Sequence, residues 1–248
     1  MFCRETEECA MPQIGEILRE GKGKKVYATD DPDKAIVFFK DEAMAFHGLK
    51  RGRILGKGEV NNQVCEHLFR LLKDNGIETH FIEHIDARHS LVKRCDMLPF
   101  AVKIRNIAAG QLCERTGIPV GTKLEPTVIE FVLKDTDMEV DPIVNHTHIY
   151  AMRAATPEEM DQITEMSLKI NEILTAYLKD ISIELIDMKL EFGRYHGRII
   201  LADEITPDTA RFWDSSTHEP LDIDRFRRDM DNVAEAYQEV LHRMMGVG

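Results

Sequence analysis

Two neighbouring segments in the C-terminal half constrain the fold of this chain most strongly. They are LIDMKLEFGR at Leu185–Arg194 and RIILADEITPDTARFWD at Arg198–Asp214. Side chains of an extended strand point alternately to opposite faces, so the charged residues of the first segment share one face and its apolar residues share the other. The short turn that ends at Gly197 then predicts a hairpin with one charged face and one core face. The charged residues are Asp187, Lys189 and Glu191.

The second strand of this hairpin ends at an acidic pair, Asp203 and Glu204, after an apolar run from Ile199 to Ala202. A carboxylate at a strand end can hold Mg²⁺, and the cation would offset the repulsion between carboxylates and nucleotide phosphates. The residues alone leave two interpretations open: a site for Mg²⁺ and phosphates, or a solvated strand face.

A loop rich in glycine and lysine, GKGKKVYAT, lies near the start of the chain and leads into a predicted strand hairpin. Gly21 and Gly23 allow the backbone to approach a ligand closely, and Lys22 and Lys24 offer point charges to phosphate oxygens. The spacing differs from that of a Walker loop and no helix pattern follows, so the segment resembles the strand-hairpin clamp of kinase-like sites. A solvated basic turn is the alternative.

Hydrophobic periodicity predicts most of the remaining elements. Helices are predicted at Val60–Asn75 and Pro157–Leu178, and Asp222–Met245 is predicted to form one amphipathic helix. Phe100–Asn106 is predicted to be a strand that Met97-Leu-Pro99 separates from the strands before it. A loop is expected around residues 51–58.

Arg105 is placed where a predicted strand gives way to a short helix at Ala108–Thr116. A guanidinium beside a helix N-terminus is suited to binding an anion, because the backbone dipole and a bidentate donor act together. The alternative is a structural arginine that pairs with a nearby carboxylate.

Composition excludes several classes of protein. A chain of 248 residues can form one large domain or two packed lobes, and its net charge of −12 disfavours binding to nucleic acid. We find no run of 18 apolar residues, and the N-terminal segment is acidic without an apolar core. A cytoplasmic protein with no membrane association is therefore expected.

Several motifs together resemble those of the phosphoribosylaminoimidazole-succinocarboxamide synthase (SAICAR synthetase) family, in order from about Gly15 to Tyr237. They are GKGKKVY, FFKDEAMAF, GKGEVNN, KIRNIAAGQL, EPTVIEF, Asp141-Pro142, LIDMKLEFGR and LADEITPDTARFWD. The resemblance implies an α+β fold, in which an N-terminal antiparallel sheet similar to the small lobe of kinases is joined to a larger mixed α/β lobe. We predict the division at residues 1–98 and 99–248.

The resemblance also implies an activity. Members of this family use ATP to join L-aspartate to the carboxylate of carboxyaminoimidazole ribotide, and they release ADP and phosphate. A carboxylate is a poor electrophile, so ATP is required to remove one of its oxygens as phosphate. Such a family also implies Mg²⁺ as a cofactor and a homodimer or larger homo-oligomer.

The roles implied for individual residues follow the motifs. The ATP phosphates are expected at Gly21, Lys22, Gly23 and Lys24, adenine at the backbone of Arg94–Met97, and the nucleotide ribose at Glu191. Asp203 is expected to hold Mg²⁺, and Asp187 and Lys189 are expected to face the reacting groups. The ribotide phosphate is expected at Arg105, Gln111 and Arg211.

Three positions differ from the residues that the family usually carries in these motifs. Gln111 replaces a serine, Ala101 replaces a glutamate with Lys103 nearby, and Asn145–His148 replaces acidic residues after Asp141-Pro142. All three lie on the side of the ribotide, so the pocket for the acceptor is altered while the ATP motifs are intact. The alternatives to a ligase are a small-molecule kinase and a nucleotide-binding paralogue without catalysis.

Overall fold

The computed structural model describes residues 13–45, 48–134 and 141–246, so the N-terminal acidic segment lies outside the described residues. The described strands are β1 (Ile17–Glu20), β2 (Lys24–Ala28), β3 (Lys34–Phe39), β4 (Glu42–Ala45), β5 (Lys50–Arg53), β6 (Phe81–Asp86), β7 (His89–Lys93), β8 (Asp96–Ile107), β9 (Lys123–Leu133), β10 (Ile143–Val144), β11 (Ile183–Tyr195), β12 (Arg198–Ala202) and β13 (Ala210–Asp214). The described helices are α1 (Lys57–Asp74), α2 (Gln111–Thr116), α3 (His146–Ala151), α4 (Pro157–Asp180), α5 (Asp224–Arg227) and α6 (Val233–Met245).

Two antiparallel sheets carry the fold. The first has the order β1-β2-β3-β7-β6, and the second has the order β10-β9-β8-β11-β12, with β13 paired to the first half of β11. Strands β4 and β5 form a separate hairpin. Helices lie beside both sheets, so the α+β class is confirmed.

Strand β11 is the centre of the second sheet and has the predicted alternation. Its apolar side chains Ile186, Met188 and Leu190 are at most 1% exposed. The hairpin with β12 is also as predicted, because Glu191–Tyr195 pairs with Arg198–Ala202 through a turn with positive φ at its two central residues. This strand fixes where its charged face points.

Both predicted long helices are present, although α1 begins three residues before Val60 and α4 ends two residues after Leu178. Helix α1 buries Val60, Val64 and Leu68 at helical spacing and is followed by Gly76 in the left-handed conformation. Helix α4 begins with a capping box between Thr156 and Glu159. Both helices contribute to one core that runs beneath the two sheets.

The two sheets are linked at several points. Only Arg94 and Cys95 separate β7 from β8, and residue Thr79 bridges to Leu201 of β12. Helix α6 packs against α1, and α1 in turn packs against strands β3 and β6 of the first sheet. The division at residues 98 and 99 stays a prediction.

The predicted break at Met97-Leu-Pro99 was wrong. Strand β8 runs through it, because its register against β11 shifts between Gly193 and Glu191 and Pro99 falls within that irregularity. A proline at a bulge removes no hydrogen bond from the ladder.

The single helix predicted at Asp222–Met245 was also wrong, since α5 ends at Arg227 and α6 begins at Val233. Asp229 and Asn232 have positive φ, which is incompatible with a continuous helix.

Two smaller boundaries differ from the predictions. Lys50–Arg53 is a strand, and α1 begins at Lys57, so the expected loop is short. Helix α2 begins at Gln111 rather than Ala108, because Gly110 before it has φ of +56°. None of the helices in the described ranges is long and apolar enough to cross a bilayer.

Gly58 should tolerate no side chain, and this gives a test of the packing at the start of α1. A Cβ there would collide with the carbonyl oxygen of Phe39 and approach Nη1 of Arg88 to 2.6 Å. We expect Gly58→Ala to lower the free energy of unfolding by about 2–3 kcal/mol in urea denaturation. Gly21→Ala is the matched control, because its Cβ would meet nothing closer than 3.9 Å. Equal stability of both variants would contradict this packing.

Candidate active site

The charged face of β11 continues across the neighbouring strands β8 and β9, whose residues lie directly opposite one another. Asp187 pairs with Arg105, Lys189 with Lys103, and Glu191 with Ala101 across β11 and β8. On the other side of β8, Lys103 lies opposite Glu130 of β9. Residues at alternate positions share a face, so this register brings the predicted charges of both strands together.

At one end of this face, a lysine from the first sheet contacts the acidic pair that follows β12. Lys24 Nζ donates to Asp203 Oδ1 and lies 2.9 Å from Glu204 Oε1. Burial disfavours the charged form of Lys24, but the two carboxylates raise its pKa overall. Both carboxylates therefore direct oxygen atoms at one cation.

The two acids of this pair differ in environment. Burial opposes ionisation of Asp203, but Lys24 and Lys189 hold its pKa below the usual range. Burial raises the pKa of Glu204, whose other oxygen accepts a hydrogen bond from Thr206. Asp203 also has φ of +61°, an uncommon conformation for a residue other than glycine, which is characteristic of functional positions.

Lys189 lies between the acidic pair and the rest of the face. Its Nζ is 2.5 Å from Glu191 Oε1 and 3.9 Å from Asp203 Oδ2. Burial disfavours its charged form, but Glu191 and Asp203 raise its pKa. Lys134 Nζ donates to the other oxygen of Glu191 at 2.6 Å. Sequence reasoning missed Lys134, although it directly follows β9 as Asp203 directly follows β12.

At the other end of the face, two arginines share one carboxylate. Arg105 Nη1 and Arg211 Nη1 each donate to Asp187 Oδ2 at 2.7 Å. Arg105 also donates to Glu130, and Arg211 to Asp224, at 2.9 and 2.8 Å. Asp187 orients the two guanidinium groups, and Arg105 has the carboxylate partners that its structural interpretation predicted.

Gln111 lies beside this pair at the first turn of α2. With Lys103, Arg105 and Arg115 it lines a cavity of about 220 Å³. Gly110 has no side chain, and a Cβ there would lie 2.7 Å from an amino group of Arg211. Glycine at this position therefore allows the Arg211 guanidinium to lie against the backbone.

The residues of the glycine-lysine loop differ in whether they take part in the site. Lys22 is exposed in the turn between β1 and β2 and lies outside the cluster, whereas Lys24 is part of it. Gly23 lies over Asp208, whose Oδ2 would be 3.4 Å from a Cβ at that position. Gly21 accepts a hydrogen bond from Lys40 Nζ through its carbonyl oxygen.

Asp208 is a second residue that the sequence alone did not identify. Lys57 Nζ and Asn61 Nδ2 contact its Oδ2 at 2.5 and 2.9 Å, and the Tyr237 hydroxyl donates to its Oδ1 at 2.6 Å. Its position in the TPDTARFWD motif was visible, but its three partners lie on two distant helices, α1 and α6. The contacts hold the loop after β12 under Gly23.

The remaining candidates, Arg94 and Met97, lie in or next to the short connection between the two sheets. Arg94 is exposed, and its backbone N–H donates to the carbonyl oxygen of Asp33. Met97 pairs with Gly193 of β11, where its sulfur would lie 3.1 Å from a Cβ. Within the described ranges, neither side chain forms a hydrogen bond or ion pair with the charged cluster.

Comparison with known proteins identifies the relatives of this chain. A family model described as SAICAR synthetase matches residues 17–244. A phosphoribosylaminoimidazole-succinocarboxamide synthase of Clostridium kluyveri is 49% identical over 230 residues, which cover 93% of this chain and 97% of the relative.

Solved structures agree with the sequence relatives. The crystal structure of a phosphoribosylaminoimidazole-succinocarboxamide synthase from Ehrlichia chaffeensis has a TM-score of 0.90 and 42% identity, and covers 94% of this chain and 100% of its own. A SAICAR synthetase in complex with ADP has a TM-score of 0.89 and 44% identity, and covers 93% of this chain and 98% of its own.

The two-sheet α+β fold, with lysines, carboxylates and arginines along one strand face, defines this chain as an enzyme of the synthetase class. The match extends over nearly the whole sequence and includes every motif that carried the resemblance. The chain belongs to the SAICAR synthetase family. The family resemblance and the fold class predicted from the sequence are confirmed.

Proposed function

We propose that this protein is an ATP-dependent ligase of purine biosynthesis, which joins L-aspartate to the carboxylate of carboxyaminoimidazole ribotide. One observation carries the proposal: family membership is accompanied by a lysine–carboxylate cluster and a pair of arginines at opposite ends of the same strand face. The first group suits nucleotide phosphates, and the second suits the phosphate of a ribotide.

The nucleotide end is assigned to Lys24, Asp203 and Glu204. The ammonium of Lys24 is a compact charge for phosphate oxygens, and the backbone at Gly21 and Gly23 leaves room for a ligand. The similar SAICAR synthetase solved in complex with ADP supports nucleotide binding by this chain. The adenine position at Arg94–Met97 follows from the family motifs.

Magnesium fits the acidic pair. Mg²⁺ binds through one or two carboxylates together with phosphate oxygens and water, and the carboxylates of Asp203 and Glu204 already converge on the ammonium of Lys24. Asp203 would hold the ion, since its lowered pKa keeps it ionised. The ion would supply positive charge to the phosphates as they react.

The ribotide end is assigned to Arg105, Gln111 and Arg211. A guanidinium binds phosphate through paired N–H donors, and Asp187 contacts two such groups and holds them side by side. Gln111 can donate through its amide and lines the adjoining cavity.

Lys189 lies between these two ends and is assigned to the reacting carboxylate. Its raised pKa keeps the ammonium charged, so it stabilises negative charge on the carboxylate oxygens as one of them is removed with phosphate. Glu191, held by Lys189 and Lys134, is assigned to the nucleotide ribose. The cytoplasmic location and the homo-oligomer stay predictions.

The activity is tested by measuring ADP release with Mg-ATP and the ribotide, with and without L-aspartate. We expect ADP release to depend on aspartate and the product mass to equal that of the succinocarboxamide. ADP release that needs an alcohol and no amine would identify a kinase instead. Nucleotide binding with no ADP release for either acceptor would identify a paralogue without catalysis.

A further inference from the structure

Lys103 occupies an unusual position in the middle of the charged face. It lies directly opposite Lys189 on β11 and opposite Glu130 on β9. Two like charges on facing strands repel each other. Glu130 does not offset this repulsion fully, because its two oxygens accept hydrogen bonds from Arg105 and Arg115.

The other cations around this face are each paired with a carboxylate. Lys24 contacts Asp203, Lys189 and Lys134 contact Glu191, and Arg105 and Arg211 contact Asp187.

Within residues 13–45, 48–134 and 141–246, Lys103 has no hydrogen bond or ion pair from its ammonium. Burial, followed by the charge of Arg105, lowers the pKa of Lys103, which agrees with a cation that has no close partner. A half-buried lysine in this position is costly without an anionic ligand.

The surroundings of Lys103 show where such a ligand would lie. Lys103 lines the cavity of about 220 Å³ together with Gln111, Arg115 and Asp141. The cavity lies on the side of the face towards β9 and β10, beyond the row of Lys189. A small organic anion fits this volume, and the acidic side chains at its edge suit a ligand that also carries an ammonium group.

The chemistry of the proposed reaction narrows the choice of ligand. The ribotide phosphate has two arginines, and the reacting carboxylate has Lys189. L-Aspartate has two carboxylates and one ammonium, so it needs additional positive charge beside the reacting carbon. We propose that Lys103 binds a carboxylate of the amine substrate and so selects an acidic amino acid; this inference rests on the proposed ligase function.

The test is steady-state kinetics of Lys103→Met with each of the three substrates varied in turn. We expect the KM for L-aspartate to rise about tenfold or more, which corresponds to the loss of one charge-assisted hydrogen bond. The KM values for ATP and the ribotide should change less than about threefold, within the ordinary effect of a neighbouring substitution. Succinate, a dicarboxylate without an amine, should inhibit the variant at least about tenfold more weakly than the wild type, for the same reason.

Two variants separate binding from structure. Lys103→Arg keeps the charge and should recover most of the affinity for aspartate, and Lys103→Gln replaces the Met variant if that protein fails to fold. Lys123→Met is the matched control, because Lys123 is on the same sheet but 76% exposed and paired with Glu125. The melting temperature of Lys103→Met without ligands should equal or exceed that of the wild type, since a repelled cation is removed.

The outcomes distinguish this inference from the proposed function. No aspartate-dependent product with the wild type would overturn the function itself. A functional wild type with an unchanged aspartate KM in Lys103→Met would overturn only the role of Lys103. A rise confined to the ribotide KM would also overturn it, because Lys103 would then belong to the ribotide site.

Discussion

Asp203→Asn should reduce turnover with Mg-ATP by about 10³-fold while leaving the protein folded. Asp203 supplies an ionised carboxylate that contacts Lys24 and lies 3.9 Å from Lys189 Nζ, and an amide removes its charge at the nucleotide end. Asparagine tolerates the left-handed backbone conformation of this position, and Lys24 keeps Glu204 as a partner at 2.9 Å. The loss of stability should therefore stay below about 2 kcal/mol in denaturant unfolding.

A control for this variant is available away from the site. Asp214→Asn removes a carboxylate that pairs with Arg243 at 2.6 Å near the C-terminal helix. It should cost a similar amount of stability and leave turnover unchanged. Normal turnover in Asp203→Asn would contradict its assignment to the metal and the nucleotide.

Arg211→Ala should raise the KM for the ribotide by about 100-fold or more, because it removes the largely buried guanidinium that we assign to the ribotide phosphate. Arg211 lies between Asp187 and Asp224, and both keep another arginine partner without it, Arg105 and Arg227 respectively. The fold should persist at a cost of about 1–3 kcal/mol. The KM for ATP should change little, since Lys24 and Asp203 are at the other end of the face.

The informative quantity in this experiment is the change in the KM for the ribotide relative to the change in the KM for ATP. Equal increases in the KM for ATP and for the ribotide would show that Arg211 supports the whole face rather than the phosphate. Arg243→Ala is the comparison variant, because it removes an arginine from an ion pair outside the face. It should leave all three KM values unchanged.

Alternation along β11 was sufficient to predict the face on which Asp187, Lys189 and Glu191 meet. The reason is physical: strand periodicity fixes side-chain direction once one face is buried. Helix boundaries at Thr156 and Gly76 were predictable because caps are local signals. The roles of Lys22, Lys189 and Asp203 in binding and catalysis are not decided by these local rules and stay predictions.

Features set by distant contacts could not be predicted. Lys134 joins the site through its ion pair with Glu191, and Asp208 does so through its contacts with Lys57 and Tyr237. These partners are far apart in the sequence. The sharing of Asp187 by two arginines likewise depends on how three strands align. Continuity of β8 through Pro99 required the register against β11, which no single segment contains.

The proposal that ATP activates a carboxylate for amide formation can be tested most directly by isotope transfer. The ribotide would be labelled with ¹⁸O in its carboxylate and incubated with Mg-ATP, L-aspartate and the enzyme. We predict that one ¹⁸O atom appears in the released phosphate for each amide formed, whichever step comes first. Phosphate without ¹⁸O, or ADP formed without amide, would contradict the assignment as a ligase.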